Sequence, residues 1–466
     1  MLLRMLGTSV LIFRLIHRLF YPMTLYKTHI RKLQSGWEQA MSDTDFECIF
    51  ITAGTSTPYF LDDQPPPFRL NPHFAHWIPD LDLQNSILVI KPGDRPRLML
   101  HRPDDFWHAS TTLPETINQN FDVEVFKELG DLSRATQQHQ TKTNRSACIG
   151  EQGIEPEDSG SNLPRSEQNP PALIANLHFQ RAFKTAYEVD CLRQASTQAV
   201  LGHVAAESAF YSGGSEFEIH MAYLLASKQV ESDLPYGNIV ALNEHAATLH
   251  YQHYQKARKT DRRSFLIDAG ARFLGYASDI TRTYAADNSG EFAELIAALD
   301  ARQQDLVRQV KPGISYYDLH VNMHHLIADI LVEFKLVNCT ADAAFDNTIT
   351  DVFFPHGVGH FLGLQTHDVG GWLGSSSEFT NNPPKRFPTL RLTRDVEARQ
   401  VFTIEPGIYF IPMLLENLRK GNHANLVNWK RVEQFIPFGG IRIEDNILVT
   451  NEGFENLTRN AFSAGR

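Results

Sequence analysis

Apolar and polar positions follow different periods in different parts of the chain. From Glu47 onward, short apolar runs bounded by Gly and Pro read as strands: ECIFITAG, SILVIKPG and RLMLHRP. Residues 131–171 break that pattern. DLSRATQQHQTKTNRS and PEDSGSNLPRSEQNPP read as polar loops around one short strand, SACIGE, and mark the end of a first domain. Apolar residues then recur at three- and four-residue spacing in ALIANLHFQRAFKT and YEVDCLRQASTQAVLGHVAAESAFYSG, which predicts helices. Ser215 and Glu218 form a capping-box signature that opens another helix, FEIHMAYLLASKQV. Strands are expected at NIVALN, ATLHYQHY, RSFLIDAG and LGYASDITRTYA. Two helices follow, GEFAELIAALDARQQDLVRQV and YYDLHVNMHHLIADILVEF, and the last third returns to strands. The sum is an α+β chain with an antiparallel, strand-rich second half. The expected organisation is an N-terminal α/β domain with a mixed sheet over 23–171 and a second domain over 172–466.

Composition narrows the function. Over 466 residues, Lys+Arg is 43 and Asp+Glu is 54, a net charge of −11. Such a surface argues against non-specific nucleic-acid binding, which needs a basic footprint. Cys48, Cys148, Cys191 and Cys339 are far apart and form no C-x-x-C pair, so neither a cysteine zinc site nor a disulfide scaffold is expected, and the usage fits a reducing, cytoplasmic compartment. Residues 1–22 differ from the rest. They are apolar with Arg4, Arg14 and Arg18 interspersed, and the longest charge-free run, Met5 to Phe13, is nine residues. A spanning helix needs about 20. The stretch reads as a basic amphipathic helix on a membrane, as a targeting segment, or as the product of a start assigned too early. The third is preferred, with Met23 as the start, because MTLYKTHIRKLQSGWEQA begins a polar helix on its own.

Four motifs carry candidate chemistry. In SFLIDAGARFLGYASDITRTY, two β-like runs each hold one acid, and Asp268 and Asp279 are eleven apart. A hairpin brings such residues side by side; buried carboxylates held so close repel, and require a proton or a cation between them. Two exposed strand-end acids are the plainer alternative. In FFPHGVGHFLGLQTHDVGG, an apolar segment with five glycines, His356, His360 and His367 fall within twelve residues. Two glycines between the first pair disfavour a helix by roughly 1 kcal/mol each, so a tight loop is expected. In VFTIEPGIYF, Glu405 ends a strand and would be buried unpaired, which is costly. In GGIRIEDNILV, Arg442 and Glu444 share a strand face and read as a plain ion pair, with Asp445 on the other face. Taken together, Asp268, Asp279, His360, Glu405 and Glu444 make four carboxylates and one imidazole. Such a donor set suits hard divalent ions, and two of them balance the four negative charges.

The order Asp, Asp, His, Glu, Glu within FLIDAG, SDITRTY, HGVGHFLG, TIEPG and GGIRIEDN resembles the pita-bread metallopeptidases. FLDDQPPPFRLNPHFAHWIP, RPDDFWH and PYGNIVALNEHAATLHY are similar to the bacterial prolidases (Xaa-Pro dipeptidases), including the relatives called organophosphorus acid anhydrolases. The resemblance runs from about residue 23 to about 459. It implies that the second domain has the pita-bread fold, that the five residues hold two divalent metal ions, in this family Mn(2+), and that the protein is a homodimer. It implies hydrolysis of Xaa-Pro dipeptides by a hydroxide bridging the metals, with a side activity on organophosphate triesters.

The resemblance also carries roles. Glu405 shuttles a proton, His356 stabilises the oxyanion, and His367 joins the catalytic set. His250 and Arg391 read the dipeptide carboxylate with His367, and Arg442 is a guanidinium partner near the substrate. Tyr236 and Tyr316 shape the pocket, and Asp63 reaches the neighbouring subunit's site. Two departures stand out: EARQVFTIEPG lacks the Pro-Gly turn common before this strand, and Thr366 stands where relatives carry an apolar residue. Two other readings remain. One is an Xaa-Pro aminopeptidase acting on longer peptides; the other is a non-catalytic pita-bread binding module, which would have lost metal ligands that this chain keeps.

Overall fold

The computed structural model describes residues 24–79, 81–107, 111–140, 142–151, 166–376 and 381–464; residues 1–22 lie outside them. Two compact units emerge, one of residues up to Gln180 with Thr185–Glu188, the other of Arg181–Lys184 with Val189 onward.

In the first unit, a helix over 24–44 buries Ile30, Leu33, Trp37, Ala40 and Met41, the three- and four-residue spacing of one helical face. Six strands form its sheet: β1 (Cys48–Thr52), β2 (Ile87–Ile90), β3 (Arg97–His101), β4 (Asp122–Phe126), β5 (Ser146–Ile149) and β6 (Glu167–Gln168), in the order β4-β3-β2-β1-β5-β6. The sheet is mixed, with β1 antiparallel to β2 and parallel to β5. Alternate residues Cys48 and Phe50, and Ile87 and Val89, point into one core with Met99 and Leu132. Leu132 marks a departure from the sequence reading. The polar stretch after 128 is not a loop; Leu129–Gln140 is a helix that buries only Leu132 and Thr136, one turn apart. So narrow an apolar stripe is easily read as loop.

The second unit holds the remaining strands. β7 (Ile239–Leu242), β8 (Ser264–Asp268) and β11 (Thr281–Ala285) form an antiparallel sheet in the order β11-β8-β7, and β9 (Arg272–Phe273) pairs with β10 (Tyr276–Ala277) inside the β8–β11 connection. β12 (Val401–Ile404), β15 (Asp445–Val449) and β16 (Phe454–Asn456) form another, and β13 (Gly407–Tyr409) pairs with β14 (Gly440–Arg442). Helices Glu291–Val307 and Tyr316–Glu333 bury Leu295, Leu299, Leu319, Met323 and Ile327 in the same large core as Phe402, Ile404 and Ile447. The capping box at Ser215 and Glu218 is formed, with Ser215 N donating to Glu218 Oε2 at 2.8 Å. A second departure falls at ATLHYQHY. It is not a strand; a 3-10 helix, Asn243–Ala247, leads into an irregular segment, because its polar groups turn in to a buried carboxylate rather than out to a neighbouring strand.

One buried acid outside the candidate site anchors this unit. Asp445 accepts hydrogen bonds from Arg282 Nη2 at 2.7 Å, Arg459 Nε at 2.6 Å, Asn456 Nδ2 at 2.8 Å and Gln303 Nε2 at 3.1 Å. Burial alone would raise its pKa, but Arg282 and Arg459 outweigh burial and hold it down to about 2. Asp445→Asn leaves two guanidinium groups short of their counter-charge, and a loss of about 3 kcal/mol or more is expected at pH 7 by urea unfolding. Because the folded pKa is depressed, this contribution is full above the ordinary value of 3.8 and fades as pH falls towards about 2. A gap between parent and variant that stayed constant across that window would contradict the assignment.

Candidate metal centre

Strand register brings four acids to one place. Asp268 ends β8 and pairs with Thr281, the first residue of β11; Asp279 lies two residues before it. Thr281 also bridges Glu444. Ile404 pairs with Asp445, so the next residues along each strand, Glu405 and Glu444, stand opposite each other. The histidine loop joins the same frame: Thr403 N donates to His360 O at 2.9 Å, and Glu405 N to Val358 O at 2.8 Å. Gly359 permits this approach, because a Cβ there would meet the Thr403 carbonyl and the Tyr316 hydroxyl.

His360 is buried. Its Nδ1 lies 2.9 Å from the Phe361 carbonyl, which can only accept, so Nδ1 carries the proton and the Nε2 lone pair faces Asp279 Oδ2 (3.4 Å) and Glu405 Oε1 (3.5 Å). One donor atom each from Asp279, His360 and Glu444 lie within 4.8 Å of one another. Glu444 Oε2 accepts from Thr281 Oγ1 at 2.8 Å, whereas its Oε1 is buried with no hydrogen-bond partner. Tyr236 donates towards both Asp268 Oδ1 (2.7 Å) and Asp279 Oδ1 (2.5 Å). Arg442 is buried, and its Nη2 pairs with Asp268 Oδ2 at 2.6 Å rather than with Glu444, so the expected same-strand pair with Glu444 is not formed.

The electrostatics are those of a site lacking positive charge. Burial, then the charge of Asp268, pushes the Asp279 carboxyl well above the carboxylate range. Burial, then Glu444, does the same to Glu405; burial, then Asp279, does it to Glu444. One guanidinium cannot balance four acids. An orphaned buried oxygen, an aimed imidazole lone pair and a set of hard oxygen donors fit a divalent cation.

Similarity to known proteins agrees with this geometry. A family model described as "Metallopeptidase family M24" matches residues 190–451, and one described as "Xaa-Pro dipeptidase, N-terminal domain" matches residues 24–179. The chain belongs to metallopeptidase family M24. It is 44% identical to an Xaa-Pro dipeptidase of Pseudoalteromonas haloplanktis over 437 residues, 94% of this chain and 98% of that protein. It is 45% identical to Xaa-Pro dipeptidase 2 of Idiomarina loihiensis over 442 residues, 94% and 99% of the two chains. In fold it is similar to an aminopeptidase P variant of Escherichia coli in complex with substrate, with TM-score 0.72, 22% identity and coverage of 93% and 95%. The pita-bread fold and a metal-dependent peptidase follow from membership of family M24. No described helix is long and apolar enough to cross a membrane.

The other expected residues of this M24 chain fall in different places. His356 donates from Nδ1 to the Gly357 carbonyl at 2.9 Å, and its Nε2 lies 2.8 Å from Tyr409 Oη. Burial, then Arg442, lowers its pKa to about 3. Nε2 faces the Tyr409 hydroxyl, which also accepts from Arg442 Nη1. His367 is exposed, its ring edge-on to His360 at 4.4 Å. His250 and Arg391 are exposed; the charge of each bears on His367, that of His250 also on His356, and that of Arg391 also on His360 and Glu405. Tyr316 does not line a pocket: it is fully buried in the core and its hydroxyl donates to the Thr403 carbonyl at 2.7 Å, so it braces the strand that leads to Glu405. Asp63 belongs to the first unit, on an exposed loop, and accepts from Gln64 Nε2 at 3.1 Å.

Tyr409 is absent from the sequence-derived set. It links Arg442 Nη1 (2.9 Å) to His356, and Gly407 and Gly440 make room for its ring. Those two glycines, in EPG and GGIRIED, were the available signal. A second acid–histidine cluster, His29, His76 and Glu188, lies buried in the first unit. It reads as a hydrogen-bonded network. His29 Nε2 donates to the His76 carbonyl (2.8 Å), Thr185 Oγ1 caps its Nδ1 (2.9 Å), and Glu188 accepts from Thr185 N (2.8 Å) in a helix cap.

Carboxyls whose pKa burial and mutual repulsion raise give up protons when a divalent cation arrives. Titration of manganese into the metal-free protein at pH 7 should release on the order of one proton or more per chain. The buffer dependence of the calorimetric enthalpy measures it. Binding without proton release would contradict the raised pKa values.

Proposed function

We propose that this family M24 peptidase is an Xaa-Pro dipeptidase, releasing proline from dipeptides. The observation that carries the reading is identity of 44–45% to Xaa-Pro dipeptidases across nearly the whole of both chains. Arg391, His250 and His367 are exposed, and the charge of Arg391 bears on His360, His367 and Glu405, which supports recognition of a free carboxylate by the guanidinium.

Asp268, Asp279, His360, Glu405 and Glu444 are the proposed ligands of two divalent ions, with Mn(2+) favoured by the oxygen-rich donor set. When bound, the metals supply a water acidified to near neutrality and polarise the scissile carbonyl. Around them, the chain's own groups bind and orient. His360 is held in one tautomer by the Phe361 carbonyl. Tyr236 fixes the rotamers of Asp268 and Asp279, and Thr281 that of Glu444. Glu405, half-buried at the end of its strand, is the proposed group that takes a proton from the attacking water and delivers it to the proline nitrogen. Arg442, through Tyr409, holds the His356 ring in place.

The metal-reloaded protein is expected to release proline from Leu-Pro and Ala-Pro and to leave Ala-Pro-Gly intact. Asp268→Asn should lower that activity by at least about a hundredfold. Cleavage of Ala-Pro-Gly at a comparable rate would move the activity to an aminopeptidase and remove the carboxylate role of Arg391.

A further inference from the structure

Glu216 is fully buried, at the first helical position after the Ser215 cap, where the amino end of the helix favours negative charge. It serves no part of the capping box. Its two oxygens instead gather the segment that the sequence pattern takes for a strand. Oε1 accepts from Leu242 N (2.9 Å) and from His245 Nδ1 (2.6 Å). Oε2 accepts from Tyr251 Oη (2.8 Å) and from Gln255 N (2.9 Å). The four donors bracket residues 242–255, and His250 is next to one of them. The Tyr251 ring also stacks on His245, with centroids 4.6 Å apart, so the anchors on either side of His250 brace each other. His250 itself projects into solvent, near enough to the centre for its charge to be felt by His356 and His367.

We propose that Glu216 is a positioning residue for substrate, holding the 242–255 segment so that His250 stands at the dipeptide's carboxylate. The proposal rests on the reading of His250 as a carboxylate-binding group. The chemistry at this position is demanding. Each oxygen of Glu216 faces one backbone N–H, and backbone N–H groups only donate. A glutamine must therefore turn its NH2 against one of them, whichever way the amide is placed, and a buried donor is left without a partner. Glutamate alone among residues of this size satisfies all four.

The test uses the full chain loaded with manganese, with Leu-Pro as substrate. Glu216→Gln should raise KM about tenfold, with kcat within about threefold of the parent and metal content unchanged. Tyr251→Phe, which removes one donor and leaves Glu216 in place, should raise KM about threefold; it serves as the second variant if Glu216→Gln folds poorly. His250→Ala should raise KM at least as much as Glu216→Gln, and the double variant should be no worse than His250→Ala alone, because both act through one contact. An unchanged KM in both Glu216→Gln and Tyr251→Phe, with His250→Ala impaired, overturns the role of Glu216 alone. So does a loss of metal and kcat at constant KM. An unchanged KM in His250→Ala overturns the carboxylate reading, and the proposal with it.

Discussion

Four acid side chains meet where β8, β11, β12 and β15 begin or end, and their mutual repulsion is the constraint around which the second unit is arranged. Buried carboxylates at such separations cannot all ionise without a cation among them. The surrounding structure holds them together nonetheless. β8, β12 and β15 are covered on both faces apart from Asp268 at the end of β8, and a one-residue slip would exchange the side chains of the two faces and remove the acids from one another. Repulsion at the centre is thus opposed by hydrophobic packing beneath it, and divalent cations relieve it.

Support around the acids is polar and directional. Tyr236 spans two of them, Thr281 holds a third, and Arg442 pairs with Asp268 while passing a hydrogen bond through Tyr409 to His356. His360 spends one nitrogen on a backbone carbonyl and so presents the other. Asp445 shows the contrast. It adjoins Glu444 in sequence and is as deeply buried, but two arginines hold its pKa down to about 2, whereas nothing comparable faces Glu444. Neighbouring acids on opposite strand faces thus divide the work: one locks the fold and the other is left available to a metal.

Much of this arrangement was legible in the sequence. The five candidate ligands stood out because each is an acid or histidine inside an apolar strand or glycine loop, where an unpaired charge is expensive. The capping box and the long helices followed from spacing. What escaped notice depended on contacts distant in sequence. The helix at Leu129–Gln140 buries too few residues to show a period. ATLHYQHY alternates like a strand, yet Glu216, some thirty residues earlier, turns its polar groups inward. Tyr316 looked like a pocket residue, but its hydroxyl is committed to a backbone carbonyl 87 residues away. Tyr409, which faces His356 Nε2 at 2.8 Å, lies 53 residues further along the chain.

The central claim is that the converging acids, and no other cluster among the described residues, bind the metal. Equilibrium dialysis against manganese, counting ions per chain, tests it in three proteins: the parent, Glu444→Ala and His29→Ala. The expected result is two ions in the parent, at most one in Glu444→Ala, and two in His29→Ala. Two ions retained in Glu444→Ala, or an ion lost in His29→Ala, would contradict it.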